Sequence, residues 1–531
     1  MSTSSHAAGE NYLNWEKGLW SWLTTVDHKR IGLLYLYSLM TFFVVGGLAA
    51  LSVRLELMNP GQDVMGPDAY NVAFTLHGAI MIFLFIVPGI PATMGNFLLP
   101  LMIGAKDVAF PRLNLLSWYI YIVGAILALI SLAWPIDTGW TFYAPYSLQS
   151  GTAVSLMTVA AFVLGFSSIV TGLNFIVTIH KLRAPGMTWF RLPVFVWATY
   201  ATAVIQTLAT PVVGITVILL MLERVMGVGI FNPAQGGDPV LFEHFFWFYS
   251  HPVVYIMVLP AFGVVGEIIP VFSRKPLFGY KIVVYSSIGI AAVSFFVWAH
   301  HMFVSGISEV SMKFFSITTM LVAIPTAIKV FNWVSTMYKG SIRFDTPMLY
   351  AMCFVFLFMI AGTTGVYLAV LATDVFYHDT YFVVAHFHYT MQGGAVIGLM
   401  AALHFWFPKM SGKMYNETVA KVALAFVFIG FNFTFLPQFI LGMEGMPRRY
   451  WDYPAEWSDL HFLSSIGSLL NAFGYAFALG NLGVTALFGK RPAEANPYNS
   501  CSLEWQTASP PIHENFEEIP VVTTEPYAYG T

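Results

Sequence analysis

HFFWFYSHPVVYIMVLPAFGVVGEIIPVF, residues 244–272, is the stretch that decides the fold, and Glu267 is the single Asp, Glu, Lys or Arg in it. About 20 apolar residues are enough to cross a bilayer as a helix, and lipid admits only helices or closed barrels. Barrel strands alternate apolar and polar residues, which this stretch does not do. We therefore predict that it forms a membrane-spanning helix.

Eleven further apolar runs of comparable length surround this one. The chain of 531 residues is 57% hydrophobic and 10% charged, whereas soluble domains carry about 25% charged residues. The sequence predicts an all-α integral membrane protein with spans near 31–54, 72–103, 115–135, 152–180, 192–222, 244–272, 282–306, 314–335, 347–371, 380–407, 419–442 and 462–488. It also predicts three regions, namely an amino-terminal segment 1–30, a membrane domain 31–488 and a carboxy-terminal tail 489–531.

The basic residues predict the orientation of these spans. Of the 24 lysines and arginines, 18 fall on the inner side if the amino terminus is cytoplasmic, five fall on the outer side, and Lys329 lies within a span. Positive charge accumulates on the cytoplasmic side of membrane proteins. We expect both termini in the cytoplasm of a cell whose plasma membrane holds the protein. The net charge of −3 gives no indication of nucleic-acid binding.

Six histidines lie inside the predicted spans. At a rise of 1.5 Å per residue, all six come out about 10 Å below the outer surface. Ionisable groups inside a membrane are costly and usually functional, so a shared layer of metal sites is the economical interpretation. These histidines are His77, His251, His300, His301, His386 and His388.

The spacing of three of these histidines predicts two cofactors on one helix. His386 and His388 are two residues apart, which places them about 200° apart around a helix. His77 could complete a bis-histidine haem with one of them. The other would then bind an iron that keeps an open position for a gas.

The remaining three histidines predict a separate metal site. The adjacent His300 and His301 offer three imidazoles together with His251. Three nitrogen ligands without a thiolate suit copper or zinc, and copper is favoured in redox chemistry. Tyr255 follows His251 by four residues and shares its helical face, so its phenol could supply an electron and a proton.

Several segments carry a resemblance to a known family. They are TLHGAIM (75–81), GNFLLPLMIGAKDVAFPRLN (95–114), WFYSHPVVYI (247–256), WAHHM (298–302), VAIPTAIKVFNW (322–333), HDTYFVVAHFHY (378–389) and GMPRRY (445–450). In this order they resemble subunit I of the haem–copper oxygen reductases, specifically the A-type cytochrome c oxidases. The resemblance spans nearly the whole membrane domain.

The resemblance implies a role for each histidine. His77 and His388 would ligate a low-spin haem, and His386 would be the proximal ligand of a high-spin haem. The other three histidines would hold copper opposite that iron, with Tyr255 cross-linked to His251. The resemblance also implies that both haems are of the A type.

The resemblance also implies groups around the haems. Arg448 and Arg449 would pair with haem propionates, for which a planar guanidinium is suited. Arg54 would lie beside the formyl group of the low-spin haem. Two further metal sites would be a Mg²⁺ site at His378 and Asp379 and a peripheral Ca²⁺ or Na⁺ site at Glu56 and Gly61.

Two proton paths are expected. Lys329 lies about 22 Å below the outer surface, with Thr326 one turn away on the same face, and the family match favours proton delivery over an interfacial lysine. The second path would begin at Asp107, with Asn96 and Asn114 nearby, and would continue past Ser167, Ser168 and Asn174.

One position departs from the commonest family pattern. Many relatives carry glutamate two residues after the first copper histidine, whereas this chain has Val253. Tyr249 and Ser250 precede His251, as in a subtype of the family. Two hydroxyls could orient water there, but neither is an anionic proton acceptor near neutral pH.

The predicted function is that of a proton-pumping terminal oxidase, which reduces O2 to water with electrons from cytochrome c. Expected partners are subunit II with the electron-entry copper site, subunit III and small subunits. Alternatives are a quinol oxidase, a nitric oxide reductase or a transporter. Quinol-oxidising relatives carry polar residues around the first two spans, and the matching positions here, Val45, Ala49, Ala69 and Val72, are apolar, so the resemblance favours cytochrome c. Nitric oxide reductases need glutamates near the metal and lack the tyrosine, so Tyr255 with the non-acidic Val253 and Val254 favours an oxidase.

Overall fold

The computed structural model describes residues 9–131 and 133–529. Within these ranges it is helical and contains no β-strand, with isolated bridges at Thr380–Pro447 and Lys413–Pro492. The first eight residues of the predicted amino-terminal segment and the last two of the predicted tail lie outside the described residues.

Among the described residues, twelve helices are long and apolar enough to cross a membrane, which confirms the predicted number. They are α1 His28–Glu56, α2 Pro67–Ile103, α3 Pro111–Ile130, α4 Val154–Lys181, α5 Val194–Met226, α6 Pro239–Ser273, α7 Tyr280–Met302, α8 Glu309–Met337, α9 Thr346–Ala369, α10 Tyr381–Ser411, α11 Glu417–Met443 and α12 Ala455–Phe488.

Capping residues explain where several of these helices begin and end. The Asp27 side chain accepts a hydrogen bond from the Lys29 backbone at the start of α1, and Asn416 does the same for Val419 at the start of α11. Gly104 ends α2 with a left-handed backbone (φ 74°), a conformation that costs glycine little. Capping residues therefore determine where these helices end, and the ends differ by a few residues from those predicted by the length of the apolar runs.

The helices that carry histidines are irregular close to them. π-helical segments occupy Ile80–Ile86 and Pro91–Gly95 in α2 and Met391–Val396 in α10. Such segments occur frequently at functional sites. In α2 the π-helical segment that begins at Ile80 follows His77, and in α10 the segment that begins at Met391 follows His388.

The end of α7 differs from the continuous helix that we predict from sequence. Its regular part ends at Val293, and the two histidines occupy a 3₁₀ segment, Trp298–Met302. A regular α-helix would direct adjacent side chains about 100° apart. The irregular backbone brings both rings to the same neighbour on α6.

α6 and α10 form the centre of the bundle and are its most buried spans. α6 packs against α2, α5, α7, α8, α9 and α10, while α10 also contacts α11. Consecutive helices pack side by side in the pairs α3–α4, α4–α5, α5–α6 and α11–α12. This arrangement leaves a cavity of about 1510 Å³ around α6 and α10.

Candidate functional site

The central cavity is lined by all six histidines predicted from the sequence. Its wall is mostly apolar, with the aromatic rings of Phe74, Phe85 and Phe435 among its lining residues. Sites for large flat cofactors are apolar cavities with a few convergent polar groups. The six imidazoles thus meet at one cavity, as the layer hypothesis requires.

His77 and His388 face each other across one part of this cavity. Their rings are nearly parallel, at 6°, with centroids 6.3 Å apart. Each Nδ1 contacts a backbone carbonyl, that of Gly46 at 3.0 Å and that of Val384 at 2.8 Å. These contacts fix the rings, as second-shell contacts do for metal ligands, and leave Nε2 of each ring for a metal.

His251, His300 and His301 form a three-imidazole cluster. One ligand atom from each lies within 4.8 Å of the others, and no other such group of three ligands occurs among the described residues. His251 Nδ1 is 3.3 Å from His301 Nε2. His300 Nδ1 is 3.1 Å from the hydroxyl of Thr319, which orients that ring. The cluster has the size and donor set of a three-coordinate copper site.

Two aromatic side chains support this cluster. Trp247 stacks on His301 with centroids 3.7 Å apart and an interplanar angle of 10°. Tyr255 lies beside His251 with centroids 5.0 Å apart. Tyr255 was a predicted site residue, whereas Trp247 was not singled out. An aromatic residue one turn before His251 was the available signal, because residues four apart share a helix face.

His386 reaches the same cavity from the opposite flank of α10 to His388. Its Nδ1 lies 2.9 Å from the Thr364 hydroxyl of α9. A side chain at Gly365 would place its Cβ 3.0 Å from His386 Cε1, so glycine gives the ring its room. Thr364 and Gly365 were not identified from the sequence, since they act only through His386.

Arg54 is buried beside the bis-histidine part of the cavity. Its Nη2 donates to the His461 carbonyl and the Ser465 hydroxyl, each at 2.9 Å. Its Nε and Nη1 have no hydrogen-bond partner in the described chain. Buried donors without partners are costly, so a ligand acceptor in the cavity would explain them.

Arg448 and Arg449 project from the loop between α11 and α12 and line the cavity. Arg448 forms an ion pair with Asp379 at 3.5 Å. Burial, followed by the charge of Arg448, lowers the pKa of Arg449 to about 10. A second anion close to Arg449 would offset both effects, which suits a carboxylate ligand.

His378 and Asp379 lie next to these arginines. His378 Nδ1 is 3.1 Å from Asp374, and its Nε2 is 3.9 Å from Asp379. Burial lowers the pKa of His378, but the hydrogen bond and charge of Asp374 outweigh burial and raise it. Asp374, also in contact with the cavity, was missing from the predicted set.

Glu56 ends α1 and Gly61 lies in the loop that follows, and the two residues belong to different hydrogen-bond networks. Glu56 Oε2 accepts from the backbones of Val64 and Met65, each at 2.7 Å, and the buried Oε1 has no partner in the ranges described. The Gly61 backbone donates to Asp452 at 2.8 Å. Glu56 Oε1 is the atom available to a cation.

Lys329 is buried in α8, at 2% exposure, and does not extend to the membrane surface. Its Nζ donates to the Val283 carbonyl at 3.1 Å and to Ser287 at 2.7 Å. Thr326, one turn closer to the metal cluster, lines the central cavity. A polar track therefore leads from Lys329 toward the cavity.

Asp107 is half-buried in the loop between α2 and α3. Burial, followed by the charge of Asp27, raises its pKa to about 7. Asn114 is buried with neither amide atom paired among the described residues, and Asn96 Oδ1 is likewise unpaired. Amides in this state are suited to hold water.

A second cavity of about 40 Å³ is lined by residues of α1 to α6. It is lined by Ser167, Ser168 and Tyr249, and Ser168 Oγ has no partner within the described ranges. A water needs about 10–15 Å³, so the cavity can hold one or more. Asn174 lies apart from it and binds the backbone of Phe110.

Tyr249 and Ser250 separate the two cavities. Tyr249 lines the small one, and Ser250 lines the central one. Ser250 Oγ is buried and unpaired in the described structure. Adjacent residues of one helix thus carry hydroxyls to both cavities.

The chemistry of these donors fits two haems and one copper. The parallel His77–His388 pair leaves one Nε2 from each ring to ligate a single haem iron, because each Nδ1 already contacts a backbone carbonyl. The three-imidazole cluster offers a second site, and His386 a third ligand set, in one apolar cavity. Twelve helices around such a cavity define the class of membrane-bound haem–copper oxidases.

Comparison with known proteins agrees with this class. The family model "Cytochrome C and Quinol oxidase polypeptide I" matches residues 30–470, and the chain belongs to that family. Cytochrome c oxidase subunit 1 of Thermostichus vulcanus is 44% identical over 517 residues, 96% of this chain and 94% of the relative. That of a Synechocystis strain is 46% identical over 508 residues, 95% and 92% of the two chains.

A solved structure shares the fold. A haem–copper terminal oxidase dimer determined by electron cryo-microscopy aligns with a TM-score of 0.76 and 21% identity, covering 87% of this chain and 86% of that one. Family membership makes the protein the catalytic subunit of a respiratory terminal oxidase with haem and copper, and a multi-pass membrane protein.

Proposed function

We propose that this subunit takes its electrons from cytochrome c and couples the reduction of O2 to water with proton pumping. The observation that carries the proposal is that two ligand sets line one cavity. The first set is the parallel pair His77 and His388, and the second is His386 together with the three-imidazole cluster. Relatives 44–46% identical over almost their whole length are named cytochrome c oxidase subunit 1, which supports the donor.

In this proposal each histidine has one cofactor. His77 and His388 hold the low-spin haem, and His386 holds the high-spin haem. His251, His300 and His301 hold copper facing that haem. When bound, these cofactors supply electron transfer and the open coordination position that O2 requires.

The chain's own groups orient the cofactors and supply a proton. Arg448 and Arg449 pair with propionates, and the unpaired Nε and Nη1 of Arg54 donate to a formyl oxygen, which favours A-type haems. Tyr255 is cross-linked to His251 and holds a proton at its phenol oxygen beside the copper ligands. Its ring position one turn from His251 supports this role.

Two paths bring protons to the cavity. Lys329 and Thr326 deliver protons to the part of the cavity that Tyr255 lines. The burial of the Lys329 ammonium and the position of Thr326 at the cavity wall support this role. Asp107, Asn96 and Asn114 begin the other path.

The second path continues through the small cavity to the Tyr249–Ser250 pair, which replaces the glutamate of other relatives. Ser168 and the unpaired Ser250 hydroxyl supply polar surface along it. Water held by these hydroxyls would relay protons, because neither hydroxyl accepts a proton near neutral pH.

Two further cations belong to the proposal. Mg²⁺ would bind near His378 and Asp379, where Asp374 adds a second carboxylate. Ca²⁺ or Na⁺ would bind at Glu56 Oε1 near Gly61. Carboxylate and carbonyl oxygens are the ligands these hard cations prefer.

The assembled enzyme is proposed to lie in a bacterial plasma membrane with both termini in the cytoplasm. The positive charge of the inner loops supports this orientation. Subunit II would bring the electron-entry copper site, joined by subunit III and small subunits. The division into segment 1–30, membrane domain 31–488 and tail 489–531 is part of the same proposal.

Oxygen consumption by the purified complex tests the donor. We expect turnover with reduced cytochrome c and little with ubiquinol, because Val45, Ala49, Ala69 and Val72 offer a quinol no polar side chain. The control is an artificial one-electron donor, which shows that the enzyme is active. Fast turnover with ubiquinol and none with cytochrome c would reverse the assignment.

A further inference from the structure

The carboxy-terminal tail packs against the start of α1 and the loop after α2. Asn515, 2% exposed, is the central contact. Its Nδ2 donates to the carbonyls of Ala105, at 2.9 Å, and Lys106, at 3.1 Å. Its Oδ1 accepts from Lys29 Nζ at 2.7 Å. One amide therefore ties the tail to α1 and to the two residues that precede Asp107.

His513 makes a second contact two residues earlier in the tail. Its Nδ1 donates to Asp27 Oδ2 at 2.8 Å, and its ring stacks on Trp15 with centroids 3.9 Å apart. Its carbonyl accepts from Lys29 Nζ at 2.8 Å. The His513 side chain is 26% exposed, whereas that of Asp27 is fully buried. His513 is thus the solvent-facing end of a buried ionic cluster.

This cluster acts on Asp107 through charge. Although burial opposes ionisation of Asp27, the charge of Lys29 and the hydrogen bond from His513 hold its pKa below the usual range. The resulting carboxylate is, after burial, the next cause of the raised pKa of Asp107. Lys29 and the backbone amides of Val108 and His28 act in the opposite direction.

A further ion pair borders the cluster. Lys106 and Glu514 are 2.6 Å apart, and both side chains are 46% exposed. Exposed pairs contribute little on their own, because water and salt screen them. The buried contacts of Asn515 therefore define the position of the loop, and the hydrogen bond from His513 defines the position of the Asp27 carboxylate.

We propose that Asn515 and His513 are positioning residues of the Asp107 proton entrance. Asn515 holds the loop that carries Asp107 against α1, and His513 fixes the Asp27 carboxylate beside it. The inference rests on the proposed role of Asp107. It assigns to the tail a part in proton uptake rather than in packing alone.

The test uses the complete oxidase reconstituted in vesicles. Proton uptake after an oxygen pulse on the reduced enzyme is followed with a pH-indicator dye across a range of pH. Asn515→Ala and His513→Phe are expected to slow uptake roughly 10- to 100-fold, since small misplacements of a reacting group cost that much. The pH midpoint of uptake should shift in both, while low-spin haem reduction stays at the wild-type rate.

Matched variants separate positioning from packing. His513→Phe keeps a ring against Trp15 but loses the donor to Asp27, whereas His513→Gln keeps a donor and should retain most of the rate. Glu518→Gln, on the exposed part of the tail, should leave uptake unchanged. A tail that only packs would lower the yield of assembled enzyme without moving the pH midpoint.

Asp107→Asn in the same assay distinguishes the two ways to fail. If it slows uptake while Asn515→Ala and His513→Phe match wild type, the tail has no positioning role and the Asp107 path stands. If Asp107→Asn itself matches wild type, the path and the inference both fall. If Asn515→Ala does not assemble, the two variants of the partly exposed His513 still test the proposal. Equal rates of proton uptake in His513→Phe and His513→Gln would overturn it.

Discussion

Tyr255 lies one helical turn beyond His251, and the centroids of the two rings are 5.0 Å apart. His251 directs Nδ1 toward His301, at 3.3 Å, and its Nε2 has no hydrogen-bond partner among the described residues. The nitrogen that faces His301 and the free nitrogen of the His251 ring are therefore distinct. The free nitrogen is the one available for a bond to the neighbouring phenol ring.

The first prediction is that active enzyme contains a covalent His251–Tyr255 bond. Forming it joins Nε2 to a ring carbon and removes one hydrogen from each, with dioxygen as the oxidant. Mass spectrometry should find the peptide spanning both residues lighter by two hydrogen atoms than its sequence mass. In Tyr255→Phe the peptide should have its sequence mass, and turnover should fall roughly 100-fold or more, as for loss of a positioned proton donor. Unmodified peptide in fully active enzyme would contradict the cross-link.

The second prediction concerns the boundary between the two cavities. Tyr249→Phe combined with Ser250→Ala removes both hydroxyls at this boundary, and we expect proton translocation to be mostly lost while oxygen consumption continues. Acidification outside oxidase vesicles measures this. Another adjacent tyrosine–serine pair, Tyr146 and Ser147 in the short helix Tyr146–Gln149 between α3 and α4, gives a matched control that should pump normally. Full pumping by the boundary variant would dismiss this route.

The third prediction concerns the buried ammonium of α8. Lys329→Met should slow reduction of the high-spin haem and copper while the low-spin haem is reduced at the normal rate, because the proton that accompanies the electron arrives late. Stopped-flow absorbance resolves the two haems. Lys313→Met, at an exposed position of the same helix, is the control. Wild-type kinetics at both haems in Lys329→Met would refute the assignment.

The fourth prediction follows from the raised pKa of Asp107, about 7 against an ordinary value of 3.8. The folded protein then holds a proton that the unfolded chain has lost, so Asp107 lowers stability as pH rises from about 4 to about 7. Asp107→Asn has no such titration. Heat inactivation should show the variant gaining stability relative to wild type across that window and a constant difference above it. A difference that does not change with pH would show that this carboxyl is not shifted.

The bundle itself was predictable because lipid leaves few alternatives. All twelve spans follow from apolar length, and the six histidines could be assigned to one layer from helix rise alone. The helix ends were less accurate. α6 begins at Pro239, five residues before its apolar run, since the Asp238 cap and a first-turn proline extend it.

Other features depend on contacts that the sequence does not reveal. The break in α7 before His300 has no local signal, because neither of its 3₁₀ segments, Ser294–Phe296 and Trp298–Met302, contains proline or glycine. Trp247 and Thr364 matter through the rings that they touch. The contact of Asn515 with Ala105 joins residues 410 positions apart, and no local pattern predicts such a pair.

Metal and ligand analysis of the purified complex tests the central claim most directly. The account predicts two haems and one copper for each copy of this subunit, with carbon monoxide shifting the reduced spectrum of only one haem. Replacing His300 by Ala should remove that copper and leave both haems. Enzyme without haem, or copper retained at full occupancy after this change, would contradict the assignment of the histidine layer.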